Sequence, residues 1–166
     1  MTMTEWARLV IEPSRENLET QLKVFAEEHQ EYWDARDNLD RMDAICDQRQ
    51  VIECVKAADP SFDTGALEHD VDVCLSHFIT QNGDLGALRQ YCDAVVKSNY
   101  SKFCDNAKDA HESLMRYANI GLFCICTNID GYFVISAFES REIDGKLYTK
   151  GKILKGINYK EPREFL

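Results

Sequence analysis

Apolar residues recur every three or four positions from Arg15 to Asn119, which is the period of helices packed against a core. Ser14 stands before the first of these patterns and is a suitable N-cap, and Asn106 is placed in the same way before the last. Pro60, with Asp59 before it, interrupts the periodicity. The pattern predicts five helices, over residues 15–35, 38–57, 66–80, 84–103 and 106–119.

The period changes to two after Gly121. Residues 122–128 and 132–138 alternate around Asp130-Gly131, which predicts a β-hairpin with a tight turn. A second Asp-Gly pair at 144–145, followed by KLYT, suggests a third strand. The chain is therefore expected to be a single, mainly α domain over residues 1–166. We expect a bundle of four to five helices over about 14–119 and a small C-terminal β appendage and tail over about 121–166.

The amino-acid composition limits the kinds of molecule that the protein is expected to bind. Apolar residues make up 45% of the 166 residues and charged residues 29%, which suits a folded domain with a sizeable core. No apolar run is long enough to span a membrane and the N-terminus does not resemble a signal peptide, so we expect a cytoplasmic protein without a membrane partner. A formal charge of −10 argues against a nucleic-acid polymer as partner, but it allows a single nucleotide.

Seven cysteines occur, and none of them forms a CxxC pair. Most lie in apolar company, and Cys124 and Cys126 alternate as in a strand. The sequence therefore predicts reduced core thiols in a reducing compartment, with neither a disulfide framework nor a zinc site.

Carboxylates are concentrated in residues 27–47 and follow two helical registers. Glu27, Glu28 and Glu31 can share one face of the first predicted helix, and Asp43 and Asp47 can share one face of the second. Like charges at this spacing destabilise a helix by roughly 0.2–0.5 kcal/mol per pair. Hard carboxylate oxygens on two facing helices suit Mg²⁺ shared with phosphates.

The alternative interpretation is a solvated acidic helix face that binds nothing. Asp43, however, lies at the edge of a broad apolar stripe formed by its own helix. A carboxylate close to a buried face needs a partner, and a cation is the simplest one.

Two polar segments offer positive charge, residues 97–102 and residues 152–159. Lysines that face an acidic metal site are the usual complement to a triphosphate, because the metal and the lysines share its oxygens. The alternative is that they are ordinary surface lysines.

Four segments of the chain resemble the MazG-like all-α nucleoside triphosphate pyrophosphohydrolases, whose relatives include phosphoribosyl-ATP pyrophosphatase and the dimeric dUTPases. Residues 27–31 match the EExxE helix, and residues 43–47, DAICD, match the second acidic motif. Residues 98–102 match SNxSK, and residues 151–159 match GKxLKxxNY. The ordered set spans most of the chain and is closest to the short, phage-type members.

The resemblance implies hydrolysis of a nucleoside triphosphate between its α- and β-phosphates, with a purine deoxynucleotide such as dGTP or dATP as the expected substrate. It assigns one or two Mg²⁺ ions, or Mn²⁺, to Glu28, Glu31, Asp43 and Asp47, and proton acceptance from water to Glu27 or Glu28. It implies that five residues bind the substrate, namely Asn99, Lys102, Lys155, Asn158 and Tyr159.

The chain departs from the family pattern in two ways. Polar residues 48–50 follow the second acidic motif, where an apolar run is usual, and the distance from Asp47 to Asn99 is longer than expected. A competing register places the second carboxylate pair at Glu68 and Asp72, four residues apart on the third predicted helix. We prefer Asp43 and Asp47, because DAICD follows EExxE at the spacing that the family prefers.

Two expectations concern function class and assembly. A non-catalytic helical module, binding a nucleotide or another protein, is the alternative to an enzyme. The predicted helices also offer more apolar surface than one short bundle readily buries, and the family closes its sites by pairing chains. We therefore expect a homodimer or a homotetramer; the wide apolar helix faces include Leu67, Val71, Leu75 and Phe78 against Leu88, Cys92 and Val95.

Overall fold

The computed structural model describes residues 2–166, and six α-helices occur in that part of the chain. The five predicted helices are confirmed to within a few residues, and one short helix precedes them. The bounds are α1 Met3–Val10, α2 Arg15–Asp34, α3 Asn38–Ala58, α4 Gly65–Thr80, α5 Leu85–Ser101 and α6 Ala107–Asn119. None of these helices is long and apolar enough to cross a membrane. The mainly helical fold class is thus confirmed.

Side-chain caps fix where three of the predicted helices begin. The Ser14 hydroxyl accepts a hydrogen bond from the Asn17 amide at 3.0 Å, and the Asn106 side chain accepts one from the Asp109 amide at 2.9 Å. Asp37 caps α3 in the same way. Each cap satisfies an amide that has no partner within its own helix.

Helix α1 was not predicted from the sequence, although a local signal for it exists. The Thr2 hydroxyl accepts from the Glu5 amide at 3.1 Å, while the Glu5 carboxylate accepts from the Thr2 amide at 2.6 Å. This reciprocal pair is a capping box, readable as Thr-x-x-Glu. Trp6 and Ala7 bury the inner face of the helix, and Gln50 of α3 donates to the Met3 carbonyl at 3.1 Å.

The C-terminal strands form two separate hairpins. Strands β1 (Cys124–Ile129) and β2 (Tyr132–Ala137) pair antiparallel, with Cys124 opposite Ala137 and Ile129 opposite Tyr132. The predicted third strand instead pairs with a fourth, as β3 (Arg141–Ile143) and β4 (Lys146–Tyr148). Both turns place an Asp-Gly pair at positive φ, the conformation that favours this dipeptide in two-residue hairpin turns. A short 3₁₀ helix, Pro162–Phe165, lies near the C-terminus.

The chain divides into two compact units, with the boundary between Val96 and Lys97 of α5. The first unit contains the chain up to Val96, with Pro162–Glu164 and Leu166, and the second contains Lys97–Glu161 and Phe165. The core of the first unit includes Phe25, Tyr32, Ile45, Val55, Phe78 and Leu88. The core of the second includes Cys104, Ala110, Leu122, Ile135 and Leu154. The expectation of one domain over residues 1–166 stays a prediction.

The apolar face that was expected to drive assembly lies in the core of the first unit. Val71, Phe78, Leu88 and Val95 are buried there, and Leu67, Leu75 and Cys92 pack against them while partly exposed. The bundle therefore covers most of the surface that we expected a second chain to cover. Dimer or tetramer formation stays a prediction, but uncovered apolar surface on this face no longer supports it.

The expectation of seven reduced thiols is wrong for two of them. Cys46 of α3 and Cys92 of α5 form a disulfide, with their Cα atoms 5.3 Å apart. The other five cysteines are free thiols. The pairing depends on how α3 packs beside α5, which the spacing of cysteines along the chain does not reveal.

We predict that reduction of this disulfide destabilises the protein. The two cysteines are 46 positions apart, a separation for which the chain-entropy model gives about 4 kcal/mol as the full effect. Urea unfolding of the wild type with and without reductant should show the loss, whereas the Cys46→Ala/Cys92→Ala variant should show no response to reductant. An equal midpoint with and without reductant, together with seven reactive thiols in non-reducing denaturant, would contradict the assignment.

Candidate functional site

Five of the acids predicted from the sequence come together where α2 packs on α3. We call Glu27, Glu28, Glu31, Asp43 and Asp47 the acidic cluster. Glu27 and Glu31 are exposed, whereas the other three are half-buried. The Glu28 Oε2 atom is shielded from solvent and has no hydrogen-bond partner within residues 2–166. A shielded carboxylate oxygen without a donor is costly, because it has lost its water and gained nothing in return.

The charges of the cluster act on Glu28. Burial, the largest cause, and repulsion from Asp47, Glu31, Asp43 and Glu27, in decreasing order, together raise the pKa of Glu28 to about 8. Glu28 is therefore mostly protonated at neutral pH as long as no cation is close. The same neighbours would favour a bound cation.

Tyr91 of α5 fixes one member of the acidic cluster. Its hydroxyl donates a hydrogen bond to Asp43 Oδ1 at 2.8 Å. Burial of Tyr91 raises its pKa, and the bond to Asp43 raises it further. Tyr91 was not among the predicted site residues, although a tyrosine on a buried helix face usually needs a partner for its hydroxyl. It orients the Asp43 carboxylate and is a positioning residue.

Gln48 explains the polar interruption after the second acidic motif. Its side chain is fully buried, donates to the Ala44 carbonyl at 3.1 Å and lies 3.1 Å from His29 Nδ1. Because the Trp33 indole donates to His29 Nε2 at 3.2 Å, that nitrogen is an acceptor, and Nδ1 carries the proton that Gln48 Oε1 accepts. The glutamine thus orients His29, the residue next to Glu28.

The donor set of the acidic cluster fits Mg²⁺ chemically, although no metal site is preformed. Among residues 2–166, no three His, Cys, Asp or Glu side chains are already arranged to hold a metal ion. Mg²⁺ usually keeps several waters and takes only one or two carboxylates together with substrate phosphates, so a closed cage is not required. The shielded Glu28 oxygen, with four more acids around it, matches that mode of binding.

The competing register receives less support from the geometry. The acids that raise the pKa of Glu28 all lie on α2 and α3. On α4, Glu68 and Asp72 are exposed, and Glu68 forms an ion pair with Lys56 at 3.6 Å. The choice between the registers stays a prediction.

In the second unit, the end of α5 and the C-terminal tail bring the predicted substrate-binding residues into two groups. Lys102 donates to Asn99 Oδ1 at 2.8 Å. The Lys155 ammonium lies 4.1 Å from the centre of the Tyr159 ring and donates to Glu161 Oε1 at 3.2 Å. Asn158 instead donates to Asp109 of α6 at 2.7 Å.

Backbone contacts hold this tail against α5 and α6. The Ser98 hydroxyl donates to the Lys160 carbonyl at 2.8 Å, and the Lys160 amide donates to the Ser101 hydroxyl at 3.0 Å. At Gly156 a Cβ atom would lie 2.7 Å from the Cys104 sulfur, so a larger residue cannot fit without movement. These contacts join the two sequence blocks, residues 98–102 and 151–159, that the resemblance treats as a set.

Comparisons of the chain with family models, curated proteins and solved structures give no match. The resemblance to the MazG-like enzymes therefore stays an expectation.

We predict that the metal-free protein loses stability as the pH rises from about 5 to about 8. The folded-state pKa of Glu28, about 8, exceeds the ordinary value of 4.5, so within this range the folded state holds more protons than the unfolded state. The loss should be on the order of a few kcal/mol and should be nearly absent in Glu28→Gln. Chemical unfolding in buffers with a chelator, at several pH values, measures it.

Glu27→Gln is the matched control, because it removes an exposed acid one position away. It should keep most of the pH dependence of the wild type. A wild type and a Glu28→Gln variant with the same pH profile would show that Glu28 titrates normally.

Proposed function

We propose that the protein is a Mg²⁺-dependent nucleoside triphosphate pyrophosphohydrolase of the MazG-like kind, which converts a nucleoside triphosphate and water into the monophosphate and pyrophosphate. The observation that supports this most is Glu28, whose shielded Oε2 atom has no hydrogen-bond partner within residues 2–166 and which lies among four further carboxylates on two packed helices. Such a site gains more from a divalent cation than from any other common ligand. The order of the sequence blocks suggests the reaction class, with a purine deoxynucleotide such as dGTP or dATP as substrate.

In this proposal Glu28, Glu31, Asp43 and Asp47 hold the metal. Bound Mg²⁺, or Mn²⁺ in its place, neutralises phosphate charge and lowers the pKa of a bound water. The Tyr91 hydroxyl keeps the Asp43 carboxylate in one orientation. Glu28 serves as a ligand in its charged form, because an opposite charge within about 4–6 Å lowers the pKa of a carboxyl group.

Glu27 accepts the proton of the attacking water in this proposal. Glu27 is exposed, so water reaches it. Glu28 is a metal ligand in this proposal, and in the metal-free state it carries a proton. A proton acceptor of this kind must lie within hydrogen-bond distance of the water, directly or through one more water.

Phosphate binding is assigned to Lys102 and Lys155, with Asn99 as a hydrogen-bonding partner. Asn158 gives one N–H to Asp109, so it takes part through its second N–H or its carbonyl oxygen. Lys155 covers one face of the Tyr159 ring, so a nucleobase could stack only on the other face.

A second candidate is a nucleotide-binding or protein-interaction module without turnover. The observation in its favour is that residues 2–166 contain no preformed group of three metal-binding side chains. Titration of Mg²⁺ followed by the fluorescence of Trp33, which lies two positions from Glu31, separates a module that binds no metal from one that does. Only an activity assay separates binding from hydrolysis.

We further propose a cytoplasmic homodimer or homotetramer. Light scattering at micromolar concentration should then give a multiple of 19.1 kDa. The Cys46–Cys92 disulfide is unusual for a reducing compartment, so the location needs its own measurement, such as the thiol state of the protein in extracts.

The direct test is a panel of ribo- and deoxyribonucleoside triphosphates incubated with Mg²⁺ and analysed by anion-exchange chromatography. We expect a monophosphate and pyrophosphate in equal amounts, with a chelator stopping the reaction and Glu31→Gln abolishing it. A diphosphate with inorganic phosphate would place cleavage at a different bond. No turnover of any nucleotide would leave the non-catalytic module as the better account.

The register of the second carboxylate pair can be tested with two matched variants. We predict that Asp47→Asn lowers turnover by about 10²-fold or more, because a metal ligand loses its charge. Asp72→Asn, the same change on α4, should leave turnover close to that of the wild type. The opposite order of effects would assign the second carboxylate pair to α4.

A further inference from the structure

Glu161 lies among the positive groups of the tail. Its carboxylate accepts a hydrogen bond from Lys155 Nζ at 3.2 Å through Oε1 and one from the Tyr159 hydroxyl at 3.0 Å through Oε2. The Ser98 hydroxyl, which donates to the Lys160 carbonyl, lies 3.3 Å from the Tyr159 oxygen. Both oxygens of one anion are thus engaged by groups of the kind that bind a phosphate.

The charge environment agrees with this geometry. Burial alone would raise the pKa of Glu161, but the hydrogen bonds from Lys155 and Tyr159 and the charges of Lys155 and Lys102 outweigh burial and lower it. Glu161 is therefore charged at neutral pH. It is an anion held by Lys155 and Tyr159, and the charge of Lys102 acts on it as well.

The ion pair between Lys155 and Glu161 is also weak enough for another anion to take the place of Glu161. The side chains of Lys155 and Glu161 are 50% and 60% exposed. Ion pairs of such exposure contribute little, because water and salt screen them. An anion with two or more charges, such as pyrophosphate or the end of a triphosphate, attracts the same lysines more strongly than a single carboxylate does.

We propose that Glu161 is a built-in competitor that occupies the phosphate-binding position of Lys155 and Tyr159 until a polyphosphate displaces it. The inference rests on the proposed role of Lys155 in phosphate binding and adds a residue to it. Glu161 keeps the Lys155 ammonium in place over the Tyr159 ring. Because an incoming anion must displace this carboxylate, it needs more than one negative charge to bind well. Singly charged anions are thereby excluded more than polyphosphates are.

Isothermal titration calorimetry with inorganic pyrophosphate and the full-length chain, in chelator so that the acidic cluster holds no metal, tests the proposal. The set comprises the wild type, Glu161→Gln, Lys155→Met and the double variant. Glu142→Gln is the matched control, because it removes one exposed acid from strand β3 and changes the net charge by the same amount. Thermal melts establish that every variant is folded.

We expect Glu161→Gln to bind pyrophosphate about two- to fivefold more tightly than the wild type, the range that an exposed ion pair allows. Glu142→Gln should match the wild type, and the gain from Glu161→Gln should vanish in the Lys155→Met background. If Glu161→Gln binds pyrophosphate as tightly as the wild type or more weakly, and Lys155→Met does not bind it, Glu161 is not a competitor. Lys155 would still be a phosphate-binding residue. If neither the wild type nor any variant binds pyrophosphate, both the competitor role of Glu161 and the phosphate-binding role of Lys155 are wrong. The nucleotide panel tests the acidic cluster separately.

Discussion

Burial of Glu28 among four other carboxylates at the α2–α3 contact is the constraint on which the proposed site depends. Packing of Phe25, Tyr32 and Ile45 into the core of the first unit fixes the two helices against each other. That packing carries Glu28 into a partly buried position beside Asp43 and Asp47, where its shielded oxygen finds no donor within residues 2–166. The metal-free protein relieves the strain by protonating Glu28, and a divalent cation would relieve it without a proton. Under the proposed function, core stability and affinity for a cation are therefore coupled.

Helix α3 supplies most of what holds the acids in place. Asp43 receives the Tyr91 hydroxyl, Gln48 holds His29, and Cys46 joins the helix to α5 through a disulfide. Cys46 and Gln48 are buried on different sides of the helix and Asp43 is half-buried, so the three contacts together fix the rotation of α3. Buried polar groups of this kind are costly unless all of them are paired. Here Asp43, Gln48 and Cys46 are all paired.

Local patterns predicted most of the fold. The five longer helices, the caps at Ser14 and Asn106 and the Asp130-Gly131 turn are all specified within a few residues of sequence. Helix α1 had a readable capping box, but with eight residues it offers little periodicity. The spacing of acids pointed to two facing stripes. It could not predict the burial of Glu28, the Cys46–Cys92 bond or the Glu161 contact, since these depend on how distant segments pack.

Direct measurement of divalent-cation binding tests the central claim, that the acidic cluster exists to hold a metal. Mn²⁺ bound to the wild type can be counted by electron paramagnetic resonance at pH 8, where Glu28 loses its proton readily. The account predicts one or two bound ions that Mg²⁺ displaces, and their loss in Glu28→Gln but not in Asp72→Asn. Equal Mn²⁺ binding by the wild type and Glu28→Gln would contradict it.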